Sequence, residues 1–237
     1  MREAALITGG AKRIGKEIAL LLSVLGYDIA LHHSRSADEA KKTATEIENN
    51  GAACELFKCD LENEKQTLTL IGRIKRRFPH LRLFINSASI FERSTLAKLD
   101  LHSLNKHFSV NFKAPYILSC EFARLCKKGQ IINLLDTNIV KNKTAYVNYL
   151  LSKKSLANFT EIAAAKFAPH IRVNGIAPGL ILPPKNKNDE YLNRLAKNIP
   201  LQKRGNPNQI ALAVQYFVES EYTTGQILFV DGGEHLL

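Results

Sequence analysis

Seven short runs dominated by apolar residues punctuate the chain: AALIT (4–8), YDIALHH (27–33), AACELFKC (52–59), LRLFIN (81–86), QIINLL (130–135), IRVNGIA (171–177) and QILFV (226–230). Each has the length and composition of a strand. Between them, apolar residues recur at three- and four-residue spacing, as at Ile14, Ile18, Leu21, Leu22 and Leu25, which predicts helices with one buried face. Strands alternating with helices predict βαβ crossovers and an α/β fold with a doubly wound, mostly parallel seven-stranded sheet buried on both faces. No repeat, low-complexity stretch or Pro/Gly linker divides the chain, so residues 1–237 are expected to form a single domain. The least regular stretch, APGLILPPKNKND (177–189), is expected to be a lid-type loop over a site.

Composition adds little to the fold but excludes several functions. A hydrophobic content of 45% is enough for a sizeable core, and no run of eighteen apolar residues suggests a membrane span. The opening MREAALITGG enters a strand at once and lacks the apolar region of a secretory signal. Cys54, Cys59, Cys120 and Cys126 form no CxxC pair, so they are expected to be reduced thiols of a cytoplasmic protein with no metal site. The net charge of +11 fits either a cationic surface or a polyanionic partner: nucleic acid, a phosphorylated cofactor or an acidic carrier protein. No nucleic-acid module accompanies it, and neither nucleic acid nor membrane is expected as a partner.

The first strand runs into TGGAKRIGKEIALLL. Gly9 follows the strand and Gly15 opens the helix, whose free N–H groups suit a dinucleotide pyrophosphate. A cofactor with a free ribose hydroxyl would call for an acid about twenty residues on. HHSRS (32–36) offers Arg35 and Ser36 instead, a pairing suited to a 2′-phosphate and therefore to NADPH. Asp60, in CDLEN, is placed to accept from an adenine amino group, and the small residues of INSAS (85–89) would let the chain pass close to the cofactor.

YLLSK sets Tyr149 and Lys153 four residues apart on one helix face. A lysine cation beside a phenol lowers its pKa and fits it for proton exchange. Placed after the fifth strand of such a sheet, with TG-x-x-x-G-x-G-type glycines in the first loop, this pair resembles the short-chain dehydrogenase/reductase family, which implies a Rossmann fold. The resemblance spans the chain, taking in SVNF with Asn111, VNGIAPG (173–179) and the terminal VDGGEHLL. It departs at one catalytic position, where Asp136 stands for the usual serine, and at two others: Arg13 replaces the middle loop glycine, and NSASIF replaces NNAG. These departures resemble the pteridine reductase and dihydromonapterin reductase branch, in which an aspartate precedes the lysine by seventeen positions, as Asp136 precedes Lys153.

The resemblance implies catalytic roles for Asp136, Tyr149, Lys153 and Asn111. It implies NADPH contacts from Gly9, Arg13, Ile14, Gly15, His33, Arg35, Ser36, Asp60, Leu61, Asn86, Ala88, Ser89, Lys153, Pro178 and Gly179. Arg13, Ser89, Phe91, Asp136, Tyr146 and Tyr149 would face a small-molecule substrate, a pterin or folate. It further implies a homotetramer, with the tail GGEHLL reaching a neighbouring subunit's site. Physical chemistry agrees with the branch: a ketone oxygen needs a neutral hydroxyl donor, whereas the ring N–H groups of a pterin can donate to a carboxylate. Phe91 would stack on the pterin ring. Taken singly, Asp136 also fits a turn cap, Phe91 a core position, Arg13 a surface position and Tyr146 either a pocket wall or buried packing. The rival readings are a 3-oxoacyl carrier-protein reductase, favoured by the basic charge, and a non-catalytic NADPH-binding sensor.

Overall fold

The computed structural model describes residues 2–184 and 188–237. The seven apolar runs form strands β1 (Ala4–Ile7), β2 (Asp28–His33), β3 (Cys54–Lys58), β4 (Leu81–Asn86), β5 (Gly129–Leu134), β6 (Ile171–Pro178) and β7 (Ile227–Val230). All pair in parallel in the order β3-β2-β1-β4-β5-β6-β7. Strand direction of winding reverses between β1 and β4, and the crevice beyond their carboxyl ends is where such sheets take ligands. Alternate residues feed opposite layers: Ala4 and Leu6 join one core cluster, Ala5 and Ile7 the other.

The helices are α1 (Arg13–Val24), α2 (Ala37–Asn49), α3 (Glu64–Arg77), α4 (Leu101–Phe108), α5 (Ala114–Cys126), α6 (Val147–Phe167), α7 (Asp189–Ala196) and α8 (Pro207–Glu219). Helices α4 and α5 are joined without a break by a π-helical turn, Ser109–Lys113. Polar caps fix several starts. Asn63 accepts from Gln66 N–H, Asp100 from Ser103 N–H, and Asn206 forms a reciprocal capping box with Gln209 ahead of Pro207. In α1 the buried face is Gly15, Ile18, Ala19 and Leu22. Leu25 follows the helix and is exposed, so the expected stripe is one residue too wide at its end.

The expected loop over 177–189 is shorter than anticipated, because β6 runs on through Pro178 and α7 begins at Asp189. Residues 185–187 of that loop lie outside the described residues. All four cysteines are free thiols, and burial pushes Cys126 up to about 11. No helix among the described residues is long and apolar enough to cross a membrane.

Candidate active site

At the β1 end, Thr8 Oγ1 accepts from the N–H groups of Ser87 (3.0 Å) and Ala88 (3.1 Å), tying the exits of β1 and β4 together. Gly9 turns with φ of 66°, and a Cβ there would stand 3.0 Å from Ala88 Cα. A Cβ on Gly15 would collide with the Gly9 carbonyl oxygen. Both glycines are therefore demanded by close backbone approach, the condition for a loop that wraps a phosphate group. Ile14 is half-buried beside them. Arg13 adopts φ of 58°, uncommon for a residue with a side chain. Its Nη2 donates to the Pro183 carbonyl at 2.9 Å, so it links the first loop to the segment after β6.

The second strand delivers His33, which is buried with Nδ1 lacking a partner among the described residues. Arg35 is exposed, and Ser36 occupies the N-cap position of α2 without capping it through its hydroxyl. This basic turn, with a free hydroxyl at a helix N-terminus, suits a phosphate monoester. Asp60 Oδ1 accepts from Glu62 N–H at 3.1 Å, which shapes the turn after β3. Leu61 packs its side chain into the core, leaving its backbone for the cofactor contact expected at this turn.

Asn86 also bonds within the sheet. It is 3% exposed, and its Nδ2 donates to Asn133 Oδ1 at 2.8 Å, while Asn133 donates to Thr160 Oγ1 at 2.9 Å. The Nδ2 is thus paired across β4 and β5, while the Asn86 Oδ1 is buried with no partner among the described residues. Beyond β6, Pro178 pairs with Val230, and Gly179 is packed so closely on Asp231 that a Cβ there would lie 2.6 Å from Asp231 Cβ.

At the other end, Asp136 caps the short helical turn Thr137–Val140: its Oδ1 accepts from Asn138 N (2.8 Å) and Nδ2 (2.7 Å). Its Oδ2 accepts from the Tyr149 hydroxyl at 2.8 Å. One carboxylate oxygen thus caps the turn, and the other holds the Tyr149 hydroxyl. Lys153 Nζ donates to the Leu134 carbonyl at 2.6 Å and stands 6.0 Å from the Tyr149 ring centroid. Burial, the Asp136 charge and the Asp136 hydrogen bond push Tyr149 well above the usual phenol value. That is opposite to the lowering expected from Lys153, because burial dominates, the charge acting on the phenol is the Asp136 carboxylate, and the lysine is bonded to a carbonyl. Burial brings Lys153 itself down to about 8, against an upward pull from Asp136.

Asn111 lies in the π-helical turn. Its Oδ1 accepts from Ile90 N (2.9 Å) and Ser89 Oγ (3.2 Å), and its Nδ2 donates to Ile90 O and to Ser152 Oγ, both at 3.1 Å. The side chain therefore clamps the loop after β4 to α6. Ser94 on that loop caps α6 from outside: its carbonyl accepts from Tyr146 N–H (3.0 Å) and its Oγ from Asn148 N–H (2.9 Å). Tyr146 takes φ of 60° at this junction. Its ring stacks on Phe91 at 4.3 Å and 9°, while Tyr149 meets Phe91 edge-on at 4.7 Å. Phe91 remains 47% exposed, which fits an aromatic platform better than a core position.

Three residues in and around the site have no place in the sequence reading. His32 bonds the first loop, Thr8 bonds the exit of β4, and Asp231 accepts from Thr137 Oγ1, His235 N (2.8 Å) and Gly233 N (3.0 Å). The pair of histidines that closes the strand DIALHH is the signal that points to His32. Asp231 anchors the final turn, Glu234–Leu236, against its own chain rather than leaving it extended.

Comparison with known proteins extends these observations. Residues 9–235 match the family model described as Enoyl-(Acyl carrier protein) reductase, an adh_short_C2 family. The structure of FolM Alternative dihydrofolate reductase 1 from Brucella canis, complexed with NADP, is 35% identical, with a TM-score of 0.93 and coverage of 99% of this chain and 95% of that one. An uncharacterized oxidoreductase of Escherichia coli, YohF, is 30% identical over 98% of this chain and 96% of its own. A 3-oxoacyl-[acyl-carrier-protein] reductase of Mus musculus is 29% identical over 100% and 99% respectively.

Proposed function

Because this chain belongs to the short-chain dehydrogenase/reductase family, we propose that it is an NADPH-dependent reductase of dihydropterins, making tetrahydropterins. The observation that carries the reading is the Asp136 carboxylate bonded at 2.8 Å to the Tyr149 hydroxyl, where a ketone reductase would present a serine hydroxyl. The similar Brucella canis protein, complexed with NADP, supports the same direction.

The residues present fit NADPH. Gly9 and Gly15 keep the first loop free of side chains where the backbone closes on itself, and Arg35 with the unused Ser36 hydroxyl suits the 2′-phosphate. Lys153 would hold the ribose, and Ala88, Ser89, Pro178 and Gly179 would border the nicotinamide. When bound, NADPH supplies a hydride to a carbon of a pterin C=N bond.

The chain's own groups would manage the proton and the substrate. Asp136 Oδ2 accepts from a ring N–H of the pterin or from Tyr149, and the high pKa of the phenol keeps a proton in place to be donated. Transfer of that proton to a ring nitrogen leaves a phenolate, which the surrounding solvent would reprotonate to complete the cycle. Phe91, backed by Tyr146, forms the stacking wall, with Ser89 and Arg13 beside the polar edge of the ring. Asn111 holds the loop that carries Ser89 in register with α6. The assembly is proposed to be a homotetramer.

The test is NADPH oxidation by the purified protein on dihydromonapterin, dihydrobiopterin, dihydrofolate and an acetoacetyl thioester. Turnover of dihydropterins without turnover of the thioester is expected. Turnover of the thioester alone would instead assign a 3-oxoacyl carrier-protein reductase, as in the mouse relative. Binding of NADPH without any turnover would leave a sensor.

A further inference from the structure

His32 is the penultimate residue of β2 and is 2% exposed. Its Nδ1 accepts from Gly9 N–H at 3.1 Å, and its Nε2 lies 3.1 Å from the Cys59 carbonyl. Since a backbone N–H can only donate and a carbonyl only accept, both contacts require one tautomer: neutral imidazole with its proton on Nε2. The His32 carbonyl accepts a second loop donor, Gly10 N–H, at 3.1 Å. One residue therefore fixes the first two amides of the glycine loop and ties them to the end of β3, next to Asp60. It also immediately precedes the basic turn that begins at His33.

The geometry points to His32 as a positioning residue for the cofactor: its neutral ring sets the Gly9 turn, so the loop that receives the dinucleotide pyrophosphate is already in place before binding. The residue touches no reacting atom. It acts through Gly9, whose left-handed conformation is held from one side by this ring and from the other by Ala88. Burial drives the imidazole down to about 4, with His33 and Arg73 pushing the same way against the Cys59 carbonyl and Asp60, so the ring stays in the accepting form. A preformed loop gains affinity by reducing the ordering that binding would otherwise require.

This inference rests on the NADPH reading of the glycine loop and is independent of which substrate is reduced. It is tested on the full chain by calorimetric titration with NADP+ and by steady-state turnover at saturating NADPH. His32→Leu removes the acceptor and leaves the half-buried Gly9 N–H without this partner, so its Kd for NADP+ should rise about tenfold. His32→Asn places an acceptor near the position of Nδ1 and should stay within about threefold of wild type. His32→Gln keeps a donor for Cys59 and loses the acceptor, so it should behave like the leucine variant. Turnover at saturation should change little in all three, giving an effect on Kd without one on kcat.

Wild-type affinity in His32→Leu overturns the inference, as does equal weakening in His32→Asn and His32→Gln, which would mean that the ring only fills space. Should His32→Leu fail to fold, the comparison of Asn with Gln decides alone. A wild-type protein that does not bind NADP+ overturns the NADPH reading and this inference together; wild-type binding with no difference among variants overturns this inference only.

Discussion

At the β1–β3 end of the crevice, the ligand-facing surface is backbone held in shape: Gly9 turned against Ala88, Gly15 against Gly9, and two loop amides bonded to His32. At the β5–α6 end it is side chain: a carboxylate bonded to a phenol, a lysine bonded to a carbonyl, and two stacked rings. A backbone-built surface has no room for added atoms but is indifferent to most distant substitutions. A surface built from side chains can be given new chemistry by one replacement that leaves the other end intact. The fold thus separates what is shared among reductases of this family from what selects a substrate.

Three measurements would break or sharpen that separation. The largest effect is expected from Asp136→Ser, which removes the carboxylate that receives the Tyr149 hydroxyl. Dihydropterin turnover should fall about a thousandfold. The Kd for NADP+, read by calorimetry, should stay within about threefold of wild type; parallel loss of both would mean that the two ends are not independent. Gly15→Ala is the reciprocal experiment. Its methyl group meets the Gly9 carbonyl, and overpacking of this kind should weaken NADP+ about thirtyfold, with kcat at saturation far less affected.

The smallest effect concerns pH. Lys153 titrates near 8, so it is charged below that value and neutral above it. If its charge helps hold the cofactor, NADP+ affinity falls as pH rises through about 8. Asp136 is the group that raises this pKa against burial, so Asp136→Asn should move the midpoint to lower pH. A midpoint that stays put in binding titrations would remove Lys153 from the explanation.

The sheet was legible because each strand is a nearly unbroken apolar run, and helix-spaced residues between them leave few alternatives. The glycine loop and the Tyr149–Lys153 pair were legible for related reasons: glycines report backbone crowding, and a four-residue spacing reports a shared helix face. What escaped is what depends on residues far apart in sequence. Nothing in INSAS says that Asn86 turns inward to Asn133, nor does CDLEN show that the Leu61 side chain lies in the core. The sign of the Tyr149 shift was also out of reach, since it depends first on how deeply the phenol is buried and then on Asp136 bonding to it. His32 went unread within HHSRS, and only its partners, 23 and 27 positions away, show it to be neutral.

The bond between Thr137 and Asp231 spans 94 positions of sequence and joins the turn beside Asp136 to the exit of β7. Burial alone would raise the Asp231 carboxyl, but the donors from Thr137, His235 and Gly233 outweigh it and hold the group below its ordinary value. For the inheritance of the chain, this makes two distant positions a single unit of change. A mutation at residue 137 that removes the hydroxyl leaves an acid short of a donor at residue 231. A mutation at residue 231 releases the final turn and the support of the Asp136 cap at once. Descendants that alter one member are expected to alter the other, so the neighbourhood of Asp136 should drift in pairs rather than one residue at a time.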